Sequence, residues 1–236
     1  MQEFAGAWEA LRFGGPLVYP LLFLGVLAII IIVDRAVAYY RCLRLPPALL
    51  ELVETYGFAW EDLNRQLNLL TTANAYRQFF GVIVENRHQP AWWVESRAED
   101  EAGNIERLLG RGLWVLETVV TAAPLMGLLG TITGMMQAFR VIGGSGLVAP
   151  TQVTSGVAQA LIATALGLLI AIIALFGFNF FARMQSHALD RMERLGSKLV
   201  DRIRLDQENG DREENGDREV SATVTALTPR EGRVKR

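Results

Sequence analysis

The sequence predicts an all-α membrane protein with three transmembrane helices, the second and third extended into a cytoplasmic helical bundle. Three observations predict it. Apolar residues make up 51% of the 236-residue chain against 20% charged, a more apolar balance than an ordinary soluble domain of this size carries. The apolar residues gather in three runs, Pro16 to Val33, Leu113 to Phe139 and Val153 to Phe181. Arginines cluster at alternate ends of those runs, as they do around spans that cross and recross a bilayer.

Residues 1–15 carry Glu3, Glu9 and Arg12. There is no basic stretch before the first run and no small-x-small cleavage site before Asp34-Arg35, so this run is expected to stay as a span over 16–40 rather than be removed as a signal peptide. The second span is expected over 113–139 and the third over 153–182. Both exceed the ~20 residues needed to cross ~30 Å of hydrocarbon.

Orientation follows from Arg and Lys at the span ends. Arg35, Arg41 and Arg44 follow the first span, Arg107 and Arg111 precede the second, and Arg183, Arg191, Arg194 and Lys198 follow the third. Arg12 and Arg140 stand on the other side. The N-terminus and a short loop over 140–152 therefore face out, and segments 41–112 and 183–236 face the cytoplasm. The net charge of −2 hides this asymmetry. Cys42, a single thiol on the reducing side, makes no disulfide framework and reads as a small boundary residue.

Between the first two spans, Pro46-Pro47 marks a separation. Leu49, Leu50, Leu52, Val53 and Tyr56 suit a short amphipathic helix. A second is expected over Glu61 to Leu70 and a third over Asn74 to Glu85. His88-Gln89-Pro90 reads as a break. From Trp92 the chain runs without proline to Pro124, so the second span is expected to continue into the cytoplasm as one long helix, with Gly103, Gly110 and Gly112 as its weak points. After the third span, Ala188, Met192, Leu195, Leu199 and Ile203 recur at helical spacing over 183–206 and predict a packed face. Residues 207–236 include a repeated hexapeptide, ENGDRE-ENGDRE. So polar a stretch is expected to lack order. Its basic end, Arg230, Arg233, Lys235 and Arg236, reads as a solvated tail, with contact to anionic lipid as the alternative.

The second and third spans carry strips of small residues. Gly127, Thr131, Gly134 and Ala138 form one; Ala160, Thr164, Gly167 and Ala171 form another; Gly156, Gln159 and Ala163 lie beside it. Helices associate in lipid by such close approach, either within the chain or between copies of it. The first span, rich in Leu, Ile and Val, reads as facing lipid. A threonine in a membrane helix can also bond back to its own carbonyls. Thr131 and Thr164 sit inside their strips, near mid-span, and are expected to present hydroxyls to whatever the strips enclose. With Gln159 they are the main polar groups at depth. No Asp, Glu, His, Lys or Arg occupies the middle of any span; Asp34 and Glu117 lie towards the cytoplasmic ends. Proton carriage normally uses a titratable group at depth, so if this chain handles protons a partner must bring the carboxylate.

No nucleophile–base pair, metal-ligand spacing or phosphate loop is apparent, and no cofactor is expected. His88 and His187 are isolated. Gly143-Gly144-Ser145-Gly146 reads as an outer turn, since no Lys-Ser/Thr follows it.

Ala123-Pro124-Leu125-Met126-Gly127-Leu128-Leu129-Gly130-Thr131-Ile132-Thr133-Gly134-Met135, followed by Gly156-Val157-Ala158-Gln159-Ala160-Leu161-Ile162-Ala163-Thr164-Ala165-Leu166-Gly167-Leu168, resembles the MotA/TolQ/ExbB proton channel family, and more closely its ExbB/TolQ branch. Three spans with an outward N-terminus fit that branch; the flagellar MotA branch has four. The resemblance implies a homo-oligomer, a pentamer, in a bacterial inner membrane, with the N-terminus and short loop periplasmic. The second and third spans, with Gly127, Gly130, Gly134, Gly156, Ala160 and Gly167 on their packing and pore faces, would line a central pore. That pore would hold the single span of an ExbD/TolR-like partner bearing an Asp, flanked by Thr131 and Thr164. A TonB/TolA-like energy transducer would carry the work to the outer membrane. Many members have Glu where this chain has Gln159. A glutamine cannot change charge, and it stands about 140° round the helix from Thr164. Either Gln159 makes an interhelical hydrogen bond or the site tolerates loss of the acid.

Overall fold

The computed structural model describes residues 15–44, 46–54, 58–144 and 150–227. Residues 1–14, the middle of the expected outer loop (145–149) and the basic end from Arg230 lie outside them. Among the described residues the regular elements are α-helices: α1 (Val18–Cys42), α2 (Pro47–Glu54), α3 (Trp60–Asn68), α4 (Ala75–Glu85), α5 (Ala91–Leu109), α6 (Leu113–Gly144) and α7 (Pro150–Leu227). Three of them, α1, α6 and the part of α7 that begins at Val153, are long and apolar enough to cross a membrane. The chain divides into two compact units, one made of residues up to Cys42 with Ile105–Leu189, the other of Leu43–Asn104 with the residues from Asp190.

In the first unit, α1 packs on α6 and buries Val18, Leu21, Ala28 and Tyr39. Its other face leaves Phe23, Val26, Ile30 and Val33 more than half exposed. That is the surface expected of a span whose outer side meets lipid, where apolar groups need no further cover.

Two expectations about helix continuity are corrected here. The second span does not continue as a long helix, because α5 ends at Leu109 and α6 starts at Leu113. Gly110-Arg111-Gly112 turns the chain, and Gly112 adopts φ +83°, a left-handed conformation that glycine enters without a steric penalty. Residues 207–227 are not without order: α7 runs through them to Leu227. The sequence shows no apolar stripe to announce a helix there, but Glu and Arg are good helix formers, and Glu208 precedes Arg212 by one turn in the favourable order.

The second unit is a small bundle. Leu49 and Val53 of α2, Leu63 and Leu67 of α3, Phe79, Phe80 and Ile83 of α4, and Val94 of α5 are buried with Met192, Leu195, Leu199 and Ile203 of α7. The stripe read from the sequence after the third span is thus an inward face, each large side chain contributing roughly 1.5–3 kcal/mol by leaving water. Gly196 admits the Phe79 ring; a Cβ there would stand 2.7 Å from it. Asn74, buried, starts α4: its side-chain oxygen accepts from the Tyr76 and Arg77 amides at 2.9 and 3.3 Å, the usual N-cap arrangement. Its Nδ2 donates to the Arg44 carbonyl at 2.7 Å. Burial pushes the Tyr76 hydroxyl above its ordinary pKa of 10.0, against a lowering influence from Arg191. Trp60 Nε1 donates to Asp206 Oδ2 at 3.1 Å and so ties α3 to α7.

Candidate functional site

The small residues of α6 and α7 face one another. A Cβ added at Gly127 would lie 3.1 Å from the Ala163 carbonyl and the Thr164 Cα; at Gly130, 2.5 Å from the Ala163 Cβ; at Gly134, 3.0 Å from the Ala160 Cβ and the Gly156 carbonyl. From the other helix, a Cβ at Gly156 would lie 2.8 Å from the Ala138 Cβ, and one at Gly167 would lie 2.5 Å from the Ala123 carbonyl. The two backbones are therefore in contact along several turns. Within the one chain described, the strips close on each other.

Thr164 lies in this seam. Its Oγ1 donates to the Gly127 carbonyl at 2.9 Å, a hydrogen bond between helices that no spacing rule announces. Thr131 behaves differently. It is half-buried, and its hydroxyl donates to the Leu128 carbonyl of its own helix at 2.6 Å. Thr133 likewise turns back to Leu129 and Gly130, at 3.0 and 3.1 Å. A back-bonded hydroxyl has used its hydrogen but keeps lone pairs that can accept. Gln159 sits apart from both threonines' hydrogen bonds. Its amide lies against Gly15, whose φ of +74° and lack of Cβ leave it the space. Of the residues picked from the sequence, the structure joins Gly127, Gly130, Gly134, Gly156, Ala160, Thr164 and Gly167 in one seam; Thr131 lies a turn from Gly127 and Gln159 at the start of α1.

Sequence reasoning missed a second polar feature, at the turn between α5 and α6. The last carbonyls of a helix lack intrahelical donors. Here side chains supply them: Gln185 Nε2 donates to the Glu106 carbonyl at 3.3 Å, an Arg35 guanidinium nitrogen to Leu108 at 3.2 Å and Tyr39 Oη to Leu109 at 3.3 Å. Arg35 is also paired with Asp34 at 2.6 Å. A cation at a helix C-terminus is well placed for the negative end of its dipole. The signal was present in Gly110-Arg111-Gly112, a pair of glycines flanking one residue at a span end; its partners, distant in sequence, gave none.

The chain's residues 72–194 match the MotA/TolQ/ExbB proton channel family. The putative biopolymer transport protein ExbB-like 1 of Synechocystis is 34% identical over 191 residues, 79% of this chain and 74% of that relative. Biopolymer transport protein ExbB of Xanthomonas campestris is 40% identical over 93 residues, 39% of this chain and 37% of the relative. Its counterpart in Aquifex aeolicus is 42% identical over 79 residues, 34% of this chain and 53% of the relative. The chain thus spans well under two thirds of these last two. The stretch matched by the family takes in the whole glycine seam and both mid-span threonines. With three membrane-spanning helices packed in this way, the chain belongs to the MotA/TolQ/ExbB proton channel family, on its ExbB side.

Proposed function

We propose that this chain is the channel-forming subunit of an ion-driven envelope complex of the ExbB–ExbD or TolQ–TolR type. It uses the proton motive force to energise TonB- or TolA-dependent outer-membrane transport or envelope maintenance. Family membership and the relatives' names supply the class. One observation carries the mechanism: residues 118–139 and 153–182 hold hydroxyls and the amides of Gln137, Gln159 and Asn179 but no ionisable side chain, so a proton-binding acid at mid-span depth must come from elsewhere. A single-span partner with a membrane Asp provides it. Copies of the chain, five by the resemblance, surround that partner in the inner membrane with the arginine-rich ends inside. Each proton moved inward gains about 2.3 kcal/mol per 100 mV, so a few protons suffice for one mechanical step.

In this reading the α6–α7 pair is the stiff wall of the channel. Thr164 fixes the pair through Gly127, and Thr131 offers its lone pairs at the partner's acid. Thr131→Val, with insertion and assembly unchanged, should abolish coupled outer-membrane transport. Thr164→Val should do the same by loosening the seam, and Thr164→Ser, which keeps the donor, should retain transport. Normal transport in both valine variants would end the assignment.

A second reading has an observation in its favour: the hydroxyls of Thr131, Thr133 and Thr164 are engaged within the chain, as they would be in a membrane scaffold that assembles a partner complex and conducts nothing. Vesicles carrying the complex separate the two. Proton uptake that disappears when the partner's Asp is replaced by Asn supports the channel, and no uptake in either case supports the scaffold.

A further inference from the structure

Glu117 stands in the second turn of α6, about 7 Å along the helix from the Gly112 corner. Its side chain is exposed, and among the described residues it makes no ion pair or side-chain hydrogen bond. Its neighbour Leu116 is fully buried, so Glu117 lies at the border where the packed face of α6 gives way to the outward one. A carboxylate there is disfavoured against lipid chains and belongs beside water or protein.

The positions above it form a polar line. Thr131 stands close to four turns away, ~21 Å along the helix and within about 40° of Glu117 in rotation. Thr121, one turn on, is within about 40° on the other side. Its hydroxyl donates to the Thr118 carbonyl at 3.0 Å and keeps lone pairs to accept. Pro124 lies inside α6 and has no N–H, so the Val120 carbonyl loses its helical donor and is left to other donors. The carboxylate, the Thr121 hydroxyl, a carbonyl without its helical donor and, beyond Pro124 and Leu128, the Thr131 hydroxyl thus lie along one side of the second span.

We infer that Glu117 is the inner-side proton acceptor of the channel, receiving the hydrogen ion that leaves the level of Thr131. The step is a proton exchange with water. An O–H bond of a hydronium ion breaks as one forms on a carboxylate oxygen; the acid then gives the proton to water on the inner side and is restored. This rests on the channel reading proposed above.

The test uses the full chain with its natural partners in vesicles everted from the host's membranes, and reads proton flux with a pH-sensitive dye. Glu117→Gln should lower the flux about tenfold or more, the low end of what a placed proton-transfer group contributes being larger still. Glu117→Asp should restore most of it. In a Cys42→Ser background, Glu117→Cys should react with a membrane-impermeant maleimide faster than Thr118→Cys, which sits at the same depth about 100° round the helix. Unchanged flux in Glu117→Gln while Thr131→Val abolishes it would overturn the role of Glu117 and leave the channel standing. Labelling at 117 no faster than at 118 would overturn it too. Full flux in Thr131→Val as well would remove the channel reading and this inference with it.

Discussion

Thr164 gives its hydroxyl to the neighbouring helix, whereas Thr131 gives its own to a carbonyl three residues back. Both are threonines among glycines and alanines near mid-span, and sequence places them alike. What separates them is the local approach of the backbones: Gly127 and Gly167 bring the Gly127 carbonyl within reach of Thr164. The strips were therefore legible, and the hydrogen bond was not, since it depends on register between two helices 37 positions apart. The register also sets the cost of a methyl group. At Gly167 a Cβ would meet the Ala123 carbonyl at 2.5 Å, backbone that cannot rotate away. Gly167→Val should destabilise the protein by roughly 1–3 kcal/mol through overpacking. Gly103 has nothing within 4 Å of such a Cβ, so Gly103→Ala in the helix interior should stabilise by roughly 0.5–1 kcal/mol. Chemical unfolding in detergent, comparing the two, checks both signs.

Among the helices, periodicity located α2, α3 and α4 to within a few residues because each buries one clear face. It also marked the inward stripe of α7 past the third span. Periodicity failed at the ends of elements. The end of α5 is set by two glycines and by donors from Arg35, Tyr39 and Gln185, three side chains that no local pattern relates to it. These donors hold carbonyls that would otherwise need water at a membrane boundary. A hydrogen bond from a charged donor is worth roughly 1.5–3 kcal/mol, and the Arg35 side chain is only 12% exposed. Arg35→Gln combined with Tyr39→Phe should therefore speed amide hydrogen exchange around residues 106–113 and leave the α6–α7 seam protected. Equal protection in variant and parent would mean that water replaces the side chains without loss.

At the scale of the whole molecule, the two units answer to different solvents. One is apolar on its outer side and is held by backbone proximity; the other is a bundle with its apolar groups turned inward. The bundle should carry an alkaline limit. Burial favours the neutral Tyr76 phenol in the folded state, so unfolded chains lose this proton first. Stability from this residue is complete below pH 10.0 and declines as pH rises beyond it. Helical circular dichroism should fall less above that pH in Tyr76→Phe than in the parent protein.

The closing of glycine on glycine between the second and third spans has one more outcome. Apart from Thr131 and the polar positions at Glu117 and Thr121, it leaves those helices to present mostly Leu, Ile, Met and Phe outward, as the exposure of Leu125, Ile132, Met136, Leu161, Ile172 and Phe176 records. Dispersion contacts of this kind are individually weak and carry little directional preference. A body pressed against such a surface can swivel past it with few polar links to break, which is the behaviour of a greased bearing.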